Sequence, residues 1–252
     1  MLTADPHAKR VAARSVARAW RLGRLAHRFD VAMPDRPARP DAPVLLPPMQ
    51  MPRRGKMGSP RARIAMLHAL AHIEFVAIDL AFDLIGRFGD QFPPAFTDDW
   101  MHVGADEAMH FALLDRRLHQ SGSHYGALPA HDGLWQAAEA TAGDVLARLA
   151  VVPMVLEARA LDITPATIER FEGAGDDVSA KILGRIMKDE IRHVRAGTKW
   201  FIAATNGSSV SAEHTYQNLV RQYFQGSVKP PFNDSARRQA GLTQEFYAAL
   251  AT

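Results

Sequence analysis

Apolar residues spaced three and four positions apart predict four long helices between residues 59 and 207. The first helix is predicted to begin at Ser59-Pro60, because serine caps helices well and proline fits their first turn. Each of the four apolar stripes contains a glutamate at a core-facing position, where an unpaired carboxylate is costly. These core-facing glutamates are Glu74, Glu107, Glu157 and Glu190.

Capping residues and helix breakers predict the other boundaries. Residues 121 to 132 join the second and third helices, and fully extended they reach about 40 Å. That length suits the single long crossover of a four-helix bundle, and Pro153 predicts a kink in the third helix. The predicted boundaries are Gly86 after the first helix, Thr97 or Asp98 before the second, Asp132 before the third, Thr164-Pro165 before a short extra helix, Asp176 or Asp177 before the fourth, and Asn206-Gly207 after it.

Extensions flank the bundle, so three regions are predicted: residues 1–58, 59–207 and 208–252. The first region contains an amphipathic helix within residues 1–29, whose arginine face we expect to be solvated. A proline-rich stretch over residues 33–60 predicts an extended arm. The last region is expected to wrap the bundle. The apolar side of the N-terminal amphipathic helix is predicted at Ala12, Val16, Ala19, Leu22 and Ala26.

A Glu-x-x-His motif occurs twice, as Glu107 with His110 and as Glu190 with His193. Three residues apart on a helix, the two side chains of each motif share one face. A second repeat, Glu-x-x-Ala-(Ile or Leu)-Asp, begins at each of the other two core-facing glutamates, 33 residues before the motif. The equal spacing predicts two similar helix hairpins that contribute Glu, Glu-x-x-His, Glu, Glu-x-x-His in chain order, the ligand set of ferritin-like di-iron and di-manganese bundles.

Oxygen and imidazole donors without sulfur favour two iron ions, or manganese or a mixed manganese–iron pair, with zinc also compatible. Two divalent cations would neutralise the four carboxylates in the interior. The alternative is a metal-free bundle with protonated carboxyls and buried hydrogen bonds. The predicted metal ligands are Glu74, Glu107, His110, Glu157, Glu190 and His193, and the four glutamates among them are also the predicted catalytic residues.

Asp106 and Asp189 directly precede the motif glutamates. A metal-bound histidine usually donates its other N–H to a carboxylate, so each aspartate is predicted to hold a histidine, and Arg192 is predicted to pair with such an aspartate. The alternative for each aspartate is a solvated helix position. Asp79 and Asp162 also recur in register, but the sequence suggests no role for them.

Composition excludes several classes of protein. The chain of 252 residues has no cysteine, so disulfides, iron–sulfur clusters and cysteine nucleophiles are excluded. No apolar run is long enough to span a membrane and no secretory signal is visible, so a cytoplasmic protein is expected. The net charge of +3 permits an acidic partner without requiring one. His68 and His72, one turn apart on the first helix, are expected to be packed or hydrogen-bonded rather than metal-bound.

The two Asp-Glu-x-x-His segments and the paired glutamates resemble the ferritin-like di-iron carboxylate superfamily. More closely, the chain is similar to a bacterial ferritin-like family catalogued as a domain of unknown function. The resemblance covers nearly all of the chain after the N-terminal helix and implies an all-α four-helix bundle with a metal site, without implying a reaction. The segments that carry it are His-Ala-Leu-Ala-His-Ile-Glu at 68–74, His-Asp-Gly-Leu-Trp at 131–135, Glu-Ala-Arg-Ala-Leu-Asp at 157–162 and Pro-Pro-Phe-Asn at 230–233.

Several branches of that superfamily fit poorly. Ribonucleotide reductase small subunits carry a radical tyrosine four residues after the histidine of the first motif, where this chain has Leu114. The same step after His193 leads to Gly197, so neither position offers a tyrosine. Rubrerythrins add a cysteine-ligated iron domain, and storage ferritins are shorter and lack both extensions. A hydroxylase or oxidase remains the closest match.

We therefore expect a di-metal oxidoreductase that activates dioxygen and acts on an unknown substrate, with an external electron donor if it is an oxygenase. One alternative is an iron-binding protein that stores or detoxifies iron with ferroxidase turnover alone. The other is a structural bundle whose metal only holds the fold. A homodimer is compatible with the sequence, the basic N-terminus gives slight support to nucleic-acid binding, and no membrane partner is expected.

Overall fold

A computed structural model describes residues 1–51 and 58–252, and this part of the chain is helical without any β-strand. The predicted all-α class is confirmed. Residues 52–57, which include Pro52 of the predicted arm, lie outside the described residues. The α-helices are α1 Pro6–Arg21, α2 Pro60–Phe88, α3 Pro94–Gln120, α4 Gly133–Ala140, α5 Val145–Val151, α6 Ala158–Glu172, α7 Asp177–Thr205, α8 Ala212–Tyr223, α9 Asp234–Gln239 and α10 Gln244–Tyr247. A π-helical segment over Val152–Glu157 joins α5 to α6.

The chain folds into two compact units. The first unit comprises Met1–Gln136 and Arg170–Ile182, and the second comprises Ala137–Glu169 and Leu183–Thr252. Helices α1, α2 and α3 therefore belong to the first unit, α5 and α8 to α10 belong to the second, and α4 and α6 each have residues in both. The long helix α7 begins in the first unit and continues in the second.

An α2–α3 hairpin forms the core of the first unit. Helix α2 begins where the sequence predicts, with the Ser59 hydroxyl accepting a hydrogen bond from the Ala62 N–H at 3.2 Å. Its predicted core stripe is buried from Leu67 onward, and the stripe of α3 is buried along its length. Residues Pro60–Gln91 are long and apolar enough to cross a membrane, but 67% of their most apolar window is buried inside the protein, as expected for a core helix.

Helix α1 packs on α3, but its predicted buried face is wrong. Ala12 and Val16 are exposed, whereas Lys9, Ala13 and Ala17 are buried. The buried face of α1 differs from its most apolar face, because Lys9 reaches the buried carboxylate of Asp79. The proline-rich arm is irregular as predicted, and backbone hydrogen bonds at its Leu45 position pair it with Ala130.

Three predicted boundaries are wrong. Helix α3 starts at Pro94 rather than after Thr97 or Asp98, and the Asp98 carboxylate accepts a hydrogen bond from the Trp20 indole instead. The predicted third helix is interrupted after Ala140, and Asp144 caps its continuation by accepting from two backbone N–H groups. Pro165 lies inside α6 instead of starting a new helix, although an interior proline removes one helical hydrogen bond.

Helical structure runs without a break from Val145 to Glu172 through the π-helical segment. Pro153 lies in that segment, so the expected kink takes the form of a π-helix, one of the ways in which a helix absorbs a missing hydrogen bond. Helix α8 packs on α5. The Tyr216 hydroxyl donates a 3.2 Å hydrogen bond to the carbonyl of Met154 within the π-helix.

Candidate metal centre

Helices α2 and α3 bring together three of the predicted ligands, Glu74, Glu107 and His110, which we call the first half-site. One carboxylate oxygen from each glutamate and a ring nitrogen of His110 lie within 4.8 Å of one another, and the three residues are buried. His110 Nδ1 lies 3.2 Å from Glu74 Oε2 and 3.3 Å from Glu107 Oε2. This group could hold a metal ion, because its donors are those of non-sulfur iron and manganese sites.

Burial and mutual contact shift the pKa values of Glu74 and His110 in the first half-site. Burial and the neighbouring charge of Glu107 raise the pKa of Glu74 well above its usual range. Burial lowers the pKa of His110, but its hydrogen bonds to Glu107 and Glu74 outweigh that effect and raise it to about 11. In the protein without metal, a protonated imidazole therefore supplies the positive charge that a metal ion would otherwise supply.

A close approach between α2 and α3 places these side chains near each other. Gly104 lies one turn before Glu107, and a Cβ at this glycine would lie 2.8 Å from Cε2 of Phe82 and 3.4 Å from Cβ of Ala81. A methyl group at Gly104 would therefore have to displace the Phe82 ring. The spacing of Glu107 and His110 then directs both side chains toward Glu74.

The second unit contains Glu157, Glu190 and His193, which we call the second half-site. His193 Nδ1 lies 3.6 Å from Glu190 Oε2, and both residues are buried. Glu157 is half-buried at the C-terminal end of the π-helix. Whether the two half-sites converge on one centre stays a prediction of the sequence repeat.

Gly197 allows the π-helix to approach α7. A Cβ at Gly197 would lie 2.6 Å from both Cβ and Cγ of Pro153. This contact fixes the segment that carries Glu157.

Asp189 has partners other than a histidine. Its carboxylate accepts from Nε of Arg185 at 2.8 Å and from Arg192 at 2.5 Å, both on α7. The predicted pairing of Arg192 with this aspartate is therefore present. Asp106, the equivalent residue of the first half, is half-buried on α3, and its predicted contact with a histidine stays a prediction.

The repeated aspartates Asp79 and Asp162 have a role that the sequence did not reveal. Asp79 forms a buried ion pair and hydrogen bond with Lys9 of α1. Asp162 accepts from Arg237 Nε at 2.8 Å and from its Nη2 at 2.6 Å, and both residues are buried. Each aspartate follows its half-site glutamate by five residues and anchors one of the two extensions of the chain.

His68 and His72 are hydrogen-bonded in the first unit, as expected. His68 Nε2 accepts from the Gly126 N–H at 2.9 Å, and His72 Nδ1 lies 2.9 Å from the Tyr125 hydroxyl. Burial lowers the pKa of His68 to about 4 and that of His72 to about 3, so both rings are neutral at neutral pH. Tyr125 stands between them and packs on Phe75, a position that no sequence pattern indicated.

Comparison with known proteins assigns the chain to a family. The family model described as "Protein of unknown function (DUF455)" matches residues 2–248. The chain belongs to the DUF455 family. A protein of Haemophilus influenzae described as uncharacterized is 39% identical over 213 residues, which cover 82% of this chain and 74% of that protein. No solved structure matches the chain.

Proposed function

We propose that this DUF455 protein is a ferritin-like di-metal carboxylate protein and acts as an oxygen-activating oxidoreductase, a hydroxylase or oxidase. The observation that carries this proposal is the buried group of Glu74, Glu107 and His110, in which one imidazole nitrogen lies within hydrogen-bonding distance of two carboxylates. Structural cores rarely contain such a group, since desolvating two adjacent carboxylates is costly unless a cation compensates them.

The second metal is inferred from the repeat. Glu157, Glu190 and His193 have the residue types and the spacings of the first half-site, and Glu190 and His193 are buried beside each other. In this proposal each half-site would hold a metal ion through one imidazole and two carboxylates. Iron is the first candidate, and manganese or a mixed pair is also compatible with these donors.

Oxygen chemistry is favoured over a purely structural metal because the apolar core does not depend on the half-sites. Leu67, Trp100 and Leu114 in the first unit, and Leu183 and Phe201 in the second, are at most 2% exposed. When bound, reduced iron would supply dioxygen binding and electron transfer. A hydroxylase would place one oxygen atom in the substrate and release the other as water, using two protons and two electrons from an external donor.

The decisive experiment compares Glu190→Ala with the wild-type protein. We expect two metal ions per wild-type chain and oxygen consumption with ferrous iron. We expect Glu190→Ala to remain helical with a modest shift in Tm, because a metal-free site can protonate its carboxyls and admit water, but to lose oxygen consumption. Metal analysis, circular dichroism melting and an oxygen electrode measure these outcomes.

Glu169→Ala is the matched control, since Glu169 is an exposed glutamate on α6. It should keep the metal content and the oxygen consumption of the wild type. A wild-type chain that holds one metal ion or none would overturn the di-metal proposal. Oxygen uptake that stops once added ferrous iron is oxidised, with every candidate donor tested, would instead support iron storage.

A further inference from the structure

A largely apolar cavity in the first unit is separate from the half-sites. Its volume is about 330 Å³, which is within the range of small-molecule sites. The proline-rich arm forms one side through Pro43 and Val44, and α2 contributes His72 and Phe75. Tyr125 and Arg39 complete the lining. The cavity thus has an apolar wall opposite a few polar groups, the usual composition of a ligand site.

Arg39 is the unusual group of this cavity. Its Nε, Nη1 and Nη2 atoms are all buried, and none has a hydrogen-bond acceptor in the described part of the chain. The nearest carboxylate oxygen is Oδ1 of Asp132, 3.9 Å from Nη2, and the other oxygen of Asp132 is taken by Arg36. A buried guanidinium without acceptors loses its hydration without compensation. A bound carboxylate would satisfy it through two parallel hydrogen bonds.

Besides Arg39, the hydrogen-bonded pair of Tyr125 and His72 contributes polar atoms to the cavity lining. His72 Nε2 lies 3.2 Å from the carbonyl oxygen of His131, which can only accept, so Nε2 carries the proton. Nδ1 is therefore an acceptor and takes the Tyr125 hydroxyl proton at 2.9 Å. The hydroxyl oxygen keeps a lone pair that can accept from a ligand, whereas its proton is already committed.

The charges around the cavity favour a single negative charge. Arg36 and Arg39 face the one carboxylate of Asp132, and the remaining acid of the lining, Asp41, is exposed to solvent. Lys9 is neutralised by Asp79. One excess positive charge suits a monoanion better than a dianion such as phosphate.

We propose that this cavity binds a small organic monocarboxylate, whose carboxylate pairs with Arg39 and whose apolar body lies against Pro43, Val44 and Phe75. Neither the proposed metal centre nor its chemistry is required for this binding. The Tyr125 ring contacts both Phe75 and Phe111, which directly follow Glu74 and His110 in the sequence, so a bound carboxylate would also rest on a side chain packed beside the first half-site.

Benzoate is a suitable probe, with benzamide as its uncharged isostere. Isothermal titration calorimetry on the full chain should show one saturable benzoate site and at least tenfold weaker binding of benzamide. Arg39→Gln should weaken benzoate binding at least tenfold. Arg39→Lys should recover part of the loss, because lysine restores the positive charge but lacks the planar guanidinium group that binds a carboxylate through two parallel hydrogen bonds. Arg28→Gln, which removes a solvated arginine, should bind benzoate like the wild type.

A second variant tests the cavity without changing charge. Val44 is 62% exposed at the mouth, so Val44→Phe should leave the fold intact while narrowing the entrance, and it should weaken benzoate binding. Circular dichroism verifies that each variant is folded. Equal affinities for benzoate and benzamide, unchanged binding in Arg39→Gln, or tighter binding of inorganic phosphate than of benzoate would each overturn the proposal. Benzoate that binds to the metal ions instead would show no dependence on Arg39.

Discussion

The two half-sites have the same residue types at the same sequence spacing, but their surroundings differ. In the first, three ligand side chains project from two regular α-helices and already lie within hydrogen-bonding distance of one another. In the second, Glu157 ends a π-helix, and His193 Nδ1 lies 3.6 Å from Glu190 Oε2. A duplicated sequence motif therefore does not produce duplicated local geometry. The difference lies in the helix that carries the first glutamate of each half, which is an α-helix at Glu74 and a π-helix at Glu157.

The ion pairs that anchor the two extensions, Lys9–Asp79 in the first half and Arg237–Asp162 in the second, also differ in their contacts. Arg237 donates twice to Asp162 and stacks on Phe232 and Tyr247, with its guanidinium carbon 5.0 and 4.4 Å from the ring centres. Lys9 contacts Asp79 through a single ammonium group. We therefore expect the anchor of the second half to contribute more to stability than that of the first.

The largest effect is expected for Arg237→Met, because it leaves Asp162 buried without its main partner. Such a change typically costs about 3–5 kcal/mol. Urea unfolding followed by circular dichroism measures the free energy of unfolding. Adding Asp162→Asn should recover most of the loss, and a double variant as unstable as the single one would contradict this account of the pair.

Lys9→Met tests the first anchor and should cost about 2 kcal/mol, less than Arg237→Met, since Asp79 loses one hydrogen bond and can then take up a proton. The pKa of Asp79 is already raised by burial, an effect that Lys9 opposes, so the variant should be least destabilised in acid. Unfolding measured at several pH values gives both results. A cost equal to that of Arg237→Met would remove the contrast between the anchors.

Acid sensitivity should also distinguish the halves, because the position of His68 in the first is occupied by Val151 in the second. Burial and the neighbouring His124 lower the pKa of His68 from 6.5 to about 4. The unfolded chain therefore takes up a proton first as the pH falls below 6.5, and the folded state loses stability, by about 2 kcal/mol at pH 5.

His68→Gln provides the test, since the amide oxygen can still accept from Gly126 but does not titrate. The variant should lose less stability than the wild type between pH 7 and pH 5. Identical pH profiles would show that other groups control acid unfolding.

The smallest effect is expected at the two close-approach glycines. In Gly197→Ala the new methyl group would lie 2.6 Å from the rigid Pro153 ring, so the variant should lose about 1–2 kcal/mol of stability. In Gly104→Ala it would lie 2.8 Å from the end of the Phe82 side chain, which can rotate away, so this variant should lose less. Thermal melting ranks the two variants, and metal analysis shows whether displacement of the π-helix disturbs Glu157. Equal Tm shifts would mean that Pro153 also adjusts freely.

Local patterns predicted the long helices and the shared face of Glu107 and His110, because both depend on residues three or four apart. The stripe of α3 and the cap at Ser59 needed no distant information. The partners of Asp79 and Asp162 could not be found in this way, since Lys9 and Arg237 lie 70 and 75 residues from them. A useful signal was present, because an aspartate repeated on an apolar helix in both halves requires a buried partner.

The segments that were predicted poorly are those in which tertiary contacts override local preference. The π-helix replaces a simple kink because Pro153 packs on Gly197 and the Met154 carbonyl accepts a hydrogen bond from Tyr216. Tyr125 lies in a connection without periodicity, so its position in the core had no pattern to indicate it.

The order of the anchors along the chain has a consequence for synthesis on the ribosome. Lys9 is made before Asp79, so the first anchor can form as soon as α2 has emerged, whereas Asp162 must wait 75 residues for Arg237. Domains usually fold from the N-terminus during translation, and a chain that stops before Arg237 would retain an uncompensated charge in its interior. A truncated product of this kind should be a better substrate for cellular proteases than the full-length protein.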